Sequence, residues 1–272
     1  MKRNILINAT AIICMALVSC TIHVDGETLG GKTIKGDGNV VTRDFSVTAF
    51  EEISASLPAT VNFTISDDYT CIVRVDENVL QYLDIKVDDN ELVLKKQEKH
   101  RNVNLHTTEF VINITAPSLE EINLAGSGTF NVLSPIEEQN LEVNVAGSGD
   151  VIFHEKVNVQ KIELSVAGSG SLVCNEVLAD KLEGNVAGSG DLKVITGNVI
   201  KAEASVAGSG DCNLYCNIDT LEASIAGSGD IKARVSGKLT YGVVGSGDIG
   251  YYGNPVVEGD QVGRGHVSRL GD

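Results

Sequence analysis

A four-residue phrase recurs through this chain at a nearly fixed interval, and the interval leaves few folds open. Ala-Gly-Ser-Gly occupies 125–128, 146–149, 167–170, 187–190, 207–210 and 226–229, and Val-Gly-Ser-Gly follows at 244–247. The first glycines are 21, 21, 20, 20, 19 and 18 residues apart, and a variant with Gly263 and Gly265 lies a further 18 on. Self-similarity at such a period marks a solenoid, in which each unit is too small to bury its own apolar face and must stack on its copies. The shrinking period predicts loops that shorten along a tapering body.

Aligned copies give columns. Before each corner stand apolar, Glu, apolar, polar, apolar and Ala, as in Leu141-Glu142-Val143-Asn144-Val145. This is the period-2 alternation of a half-buried strand. Alternation resumes after the corner, placing Val151 and Phe153, Leu172 and Cys174, Leu192 and Val194, Cys212 and Leu214, and Ile231 and Ala233 inward. A third apolar column, Val159, Ala179, Val199 and Ile218, adds a shorter touch. The expected fold is all-β: a right-handed parallel β-helix with coils of about 20 residues, the hand following the rule for parallel crossovers. The chain has no Trp and four Pro, as a thin core and an uninterrupted backbone ladder require.

The corner glycines are Gly126 and Gly128, Gly147 and Gly149, Gly168 and Gly170, Gly188 and Gly190, Gly208 and Gly210, Gly227 and Gly229, and Gly245 and Gly247. Glycine reaches positive φ and lets neighbouring backbones approach, so these read as structural corners. Gly245-Ser-Gly-Asp-Ile-Gly250 fits a dinucleotide fingerprint in letters only, since no helix follows it.

Regular repeats run over about 119–268, inside a single solenoid domain at 40–272. Before them, Phe50-Glu-Glu-Ile53 parallels Leu119-Glu-Glu-Ile122, with Leu57-Pro58-Ala59 replacing Gly-Ser-Gly, so irregular early coils are expected. Residues 76–83 predict a short helix capped by Asp76, 83–96 a small decorating hairpin turning at Asp88-Asp89-Asn90, and 110–117 a strand with Phe110, Ile112 and Ile114 inward. The last coil would leave an unpaired edge. Either the C-terminal Gly-His-Val-Ser-Arg-Leu-Gly-Asp covers it or a second subunit does, making a homo-oligomer.

Residues 1–19 form a signal peptide: Lys2 and Arg3, then an apolar run too short to span a bilayer. Leu17-Val18-Ser19-Cys20 resembles the bacterial lipobox, which implies cleavage before Cys20 and lipid on its thiol. Residues 20–39 would then tether the body to the membrane, on the periplasmic face or the cell surface of the outer membrane.

The mature chain carries 19 Lys and Arg against 37 Asp and Glu, a net charge of −18, which repels nucleic acid. Beyond Cys14 and Cys20 stand Cys71, Cys174, Cys212 and Cys216. Residues four apart on a strand, as Cys212 and Cys216 are, lie ~13 Å apart, too far for a disulfide. Zinc would need a second pair or nearby His, so these thiols read as small core residues. His23, His100, His106, His154 and His266 are scattered, and no catalytic set, cofactor site or metal site emerges. Asp150, Asp191, Asp211, Asp230 and Asp248 follow the corners, one carboxylate per coil, whereas calcium takes six to eight oxygens. A glutamate column, Glu121, Glu142, Glu163, Glu183, Glu203 and Glu222, has Lys161, Lys181 and Lys201 two residues earlier on the same outward face.

The Gly-Asp-Gly-Asn-Val-Val opening at 36–41, the Phe-Glu-Glu-Ile segment, the Ala-Gly-Ser-Gly-Asp rungs and the late Tyr-Tyr-Gly-Asn-Pro resemble the head GIN domain family, over roughly residues 36–270. The resemblance implies an auto-transporter adhesin head in a bacterial cell-envelope lipoprotein. The expected function is non-enzymatic: a surface for adhesion or binding of a glycan or extracellular protein ligand. The rival readings are a β-helix enzyme acting on polysaccharide and a purely structural envelope protein.

Overall fold

The computed structural model describes residues 32–272. The signal peptide, Cys20 and most of the expected tether lie outside the described residues. The chain is nearly all strand, wound into a β-solenoid of about eight turns. Its early strands are β1 (Thr33–Lys35), β2 (Val40–Asp44), β3 (Glu52–Ala55), β4 (Thr60–Ile65), β5 (Thr70–Asp76), β6 (Leu83–Asp88), β7 (Glu91–Lys96), β8 (Asn104–His106) and β9 (Phe110–Ala116). The repeats form β10 (Glu121–Gly126), β11 (Thr129–Val132), β12 (Ile136–Gly147), β13 (Asp150–Gly168), β14 (Ser171–Gly188), β15 (Asp191–Gly208), β16 (Cys212–Gly227), β17 (Ile231–Gly245), β18 (Ile249–Tyr252), β19 (Val256–Gly263) and β20 (Val267–Gly271).

The register follows the sequence columns. Gly126, Gly147, Gly168, Gly188, Gly208, Gly227, Gly245 and Gly263 stand in one parallel ladder. The early coil aligns as its sequence predicts, Ile53 beside Ile122 and Ala55 beside Leu124. All inward residues named above are buried. One core column runs through Phe153, Cys174, Val194, Leu214 and Ala233, one buried apolar side chain per coil.

Four features depart from the sequence reading. The third side of each coil is a paired strand and not a brief touch, with Val157, Asn158 and Val159 beside Val177, Leu178 and Ala179. Register slips beside it move the inward phase in two coils, from Cys174 to Val177 and from Val194 to Gly197, which hides the alternation. Residues 33–39 are bound to the body and not part of a tether. There β1 pairs with β8, and Gly38 N–H donates to Asp76 Oδ1 at 2.8 Å.

Asp76 precedes a 3-10 helix at Glu77–Tyr82 without capping it. Its carboxylate turns instead to the backbone N–H groups of Gly38 and Thr108, the latter at 2.7 Å. Finally, the C-terminal segment is the last rung itself: β20 lies parallel to β18. That coil ends the core with polar groups, since Gln261 and Arg269 align with Val243 and Tyr251 of the coil before. Inward polar residues blunt an edge against further pairing.

The N-terminal end closes differently. There β5 runs antiparallel to both β2 and β9, and β6 and β7 form the expected hairpin, turning through Asp89 and Asn90 at φ 46° and 72°. The left-handed region suits Asp and Asn better than other non-glycine residues.

Candidate binding surface

Each corner uses its two glycines differently. Gly147 sits at φ +123°, and a Cβ there would lie 2.6 Å from the Gly126 carbonyl oxygen. Gly149 has no unusual φ, but its Cβ would lie 2.6 Å from Gly128 O. The corners are stitched by backbone: Ser169 and Gly170 N–H donate to Gly147 O at 2.7 and 3.0 Å. Gly263-Arg264-Gly265 keeps this geometry, with Arg264 N–H on Gly245 O at 2.8 Å, because the middle side chain points away from the stack. These glycines build the frame of the corners.

The face before the corners carries the glutamate ladder. Glu52 joins it, in register with Glu91 and Glu121. Lysines thread its later half: Lys181 Nζ lies 2.6 Å from Glu183 and 3.4 Å from Glu203, and Lys201 lies 2.8 Å from Glu203. Lys161 pairs with Glu163 and, at 3.4 Å, with Glu183. Donating hydrogen bonds to Glu163 and Glu183 raises the Lys161 and Lys181 ammonium groups above their ordinary range. The Lys201 bond leads in holding Glu203 below its own.

The earlier half has no such partners, since Asn140, Leu119 and Phe50 stand where the lysines would. Burial first, and then Glu121, Glu91, Glu120 and Glu51, push the Glu52 carboxyl upward. An open cleft of about 240 Å³ lies over these acids, lined also by Asn140 and Lys161. Among the described residues no group of three or more His, Cys, Asp or Glu is arranged to hold a metal ion.

The face after the corners is chemically different. Lys193, Asn213 and Lys232 stand in register on successive coils. Two residues further on, Tyr215, Arg234 and Tyr252 also lie on the outer face, each half-buried. The Lys193 ammonium sits 6.0 Å from the Tyr215 ring centroid, and the Arg234 guanidinium 5.3 Å from that of Tyr252. The Tyr215 hydroxyl donates to Asn213 Oδ1 at 3.4 Å. Among the described residues, Lys193, Lys232 and Arg234 make no ion pair and no side-chain hydrogen bond. Sequence reasoning singled out none of Tyr215, Arg234 and Tyr252. The bulge at Leu214–Asn217 takes Tyr215 out of line with Arg234, whereas Arg234 and Tyr252 stay in register.

Cys71, Cys174, Cys212 and Cys216 are free and buried, as core residues should be. Burial pushes the thiols of Cys71, Cys212 and Cys216 up to about 12, so the reactive thiolate is suppressed. His154 lies 3.1 Å from Asn131 Oδ1, and His266 3.6 Å from Asp248, each apart from the other histidines.

A family model described as "Putative auto-transporter adhesin, head GIN domain" matches residues 49–173 and 152–255. No curated protein matches this chain. Similar solved structures include a putative lipid binding protein from Parabacteroides distasonis ATCC 8503, at 32% identity and TM-score 0.84, covering 88% of this chain and 100% of that one. A putative adhesin from the same organism gives 29% and 0.82 over 88% and 100%, and another from Parabacteroides merdae ATCC 43184 gives 27% and 0.81 over 88% and 99%. With its stacked corners in register and the family model reaching across most of its length, the chain belongs to the head GIN domain family.

Proposed function

We propose that this protein is a non-enzymatic, adhesin-type binding protein of the cell envelope, anchored through lipid on Cys20, whose solenoid faces hold a glycan or extracellular protein. The carrying observation is that the core columns are filled by side chains along the whole stack while the flat outer faces stay exposed. A ligand therefore meets the outside of the coils, where contacts repeat from rung to rung. The family match and the adhesin relatives support this class of role.

The test is a glycan and extracellular-protein array probed with the full chain in detergent micelles. Retention without new reducing or unsaturated sugar ends is expected. Turnover of an acidic polysaccharide would replace this reading with an enzyme, and retention of nothing would replace it with a structural role. Cys20→Ala should release the protein from membranes, and continued retention of that variant would overturn the anchor.

A further inference from the structure

We propose that the face after the corners is the ligand site and that it binds an acidic, carboxylate- or sulfate-bearing glycan across Lys193, Asn213, Tyr215, Lys232, Arg234 and Tyr252. This rests on the binding function proposed above.

The argument begins with charge. The chain has 37 acidic side chains against 21 basic ones, so an unpaired cation has many carboxylates to choose from. Lys161, Lys181 and Lys201 take them. Lys193, Lys232 and Arg234 do not, although Asp191 and Asp230 lie two residues before Lys193 and Lys232 on the same outward side. Those carboxylates are turned along the stack, accepting the backbone N–H of Asp211 and Asp248 at 3.2 and 2.9 Å. Contact with an aromatic ring holds Lys193 and Arg234 in place without consuming an N–H donor. The result is a row of positioned, unspent donors.

The spacing narrows the ligand. Lys193 and Lys232 are two rungs apart, ~9.6 Å at the usual strand spacing. Tyr215 and Tyr252 beside them offer apolar ring surface to the C–H faces of sugars, and Asn213 supplies both a donor and acceptors for hydroxyls. Nucleic acid carries a phosphate on every nucleotide and would be repelled by the acidic body. An extended saccharide with sparser anionic groups fits the cations and leaves hydroxyls for Asn213. A protein ligand is the alternative outcome of the test.

The full chain is titrated in low salt against polygalacturonate, hyaluronan and heparin, with carboxyl-reduced polygalacturonate as the neutral control. Saturable binding to at least one acidic polymer, weakened by added salt, is expected. The double variant Lys193→Ala/Arg234→Ala should lose about tenfold or more in affinity, while Lys201→Ala, on the other face, should not. Lys193→Arg should restore binding to the single variant Lys193→Ala. The chain has no Trp, so tyrosine emission, to which Tyr215 and Tyr252 contribute two of the six rings, should also change on binding. Unchanged melting of the double variant separates lost binding from lost fold. Equal binding of the neutral polymer, or full affinity in the double variant, overturns the proposal. Failure on all three polymers alongside retention of a protein or neutral glycan overturns this site and leaves the general binding role standing. Retention of no ligand of any class overturns both.

Discussion

The side-chain carboxylate of Asp211 accepts the backbone N–H of Asp230, one coil further along, at 3.0 Å. Asp191, Asp230 and Asp248 do the same for Asp211, Asp248 and His266, at 3.2, 2.9 and 2.7 Å. Where Thr129 and Ser171 interrupt the column, the N–H of the next coil turns to a glycine carbonyl: Asp150 to Gly128 O at 3.0 Å and Asp191 to Gly170 O at 3.1 Å. The aspartates thus stand in for a backbone acceptor. Asp211→Ala should cost about 1 kcal/mol and lower the melting temperature by about 2–4 °C. Asp211→Asn, which keeps an acceptor oxygen, should cost less. Asp150→Ala should cost at least as much as Asp211→Ala, because Asp150 Oδ1 accepts both the backbone N–H and the hydroxyl of Ser171, at 3.1 and 2.7 Å. Melting with calcium or with a chelator should give the same transition, and a calcium-dependent rise would restore a metal role for the column.

Glycine substitutions should separate by what the new methyl meets. Gly149→Ala drives a Cβ to 2.6 Å from Gly128 O, in a stack that cannot open without breaking its ladder. A loss of about 2–3 kcal/mol, or about 5–10 °C, is expected. Gly184→Ala points the other way. Its methyl would meet Cys212 Sγ at 3.6 Å, ordinary contact, and its register neighbour is already Ala204. A gain of about 0.5 kcal/mol is expected, since alanine restricts the unfolded chain and fills a core position. Thermal melts of the two variants decide the matter, and equal losses in both would show that the corner is not special.

The glutamate ladder predicts a pH-dependent gain from removing charge. The Glu52 carboxyl is raised above its ordinary value of 4.5, so the folded chain holds that proton more tightly than the unfolded chain does. Stability is therefore lost as pH rises through this range, and the penalty is in full force at pH 7. Glu52→Gln should raise the melting temperature at pH 7 by about 1–2 °C in low salt, with the gain shrinking in high salt. At pH ~3.5, where the carboxyl is protonated in both states, the variant should match the parent. Lys181→Ala should do the reverse at pH 7, because it strips Glu183 and Glu203 of a shared partner. A destabilised Glu52→Gln at pH 7 would mean that the carboxylate makes a contact worth more than the repulsion it suffers.

What could be read in the sequence follows from how far each signal reaches along the chain. The corner phrase and the period-2 columns are local, and with a fixed period they set the register of Gly126 through Gly263 and the burial of Val143, Val145, Val151 and Phe153. The Lys161–Glu183 pairing followed from the same columns. The third strand did not, because the inward phase shifts from Cys174 to Val177 and from Val194 to Gly197 in the coils that follow. The pairing of Arg234 with Tyr252 lies one 18-residue period apart in unbroken register, so the period reaches it, whereas Lys193 meets Tyr215 diagonally, two residues past its register partner Asn213. Asp76 was misjudged for a different reason. Its position before a short helix suggested a cap, but its partners Gly38 and Thr108 are 38 and 32 residues away in sequence, and no local pattern announces them.

Asp76 is the one charged side chain fully buried among the described residues, and it ties the start of the body to the strands that close its N-terminal end. Burial by itself would raise its carboxyl. The N–H groups of Thr108 and Gly38 outweigh that and hold it below the ordinary value of 3.8. The folded state therefore favours the charged form, and the stabilisation is present above that value and lost as pH falls through the lower folded one. Asp76→Ala should leave two backbone donors without their acceptor, and Gly36, against which the carboxylate packs, without its neighbour. The expected result is a lower melting temperature at pH 7, with the difference from the parent narrowing in strong acid. Amide exchange should also accelerate at Gly38 and Thr108 before it does at the corners near Gly188. If exchange at Gly38 stays as slow as in the parent, β1 and β8 hold this segment without the carboxylate, and Asp76 is not its anchor.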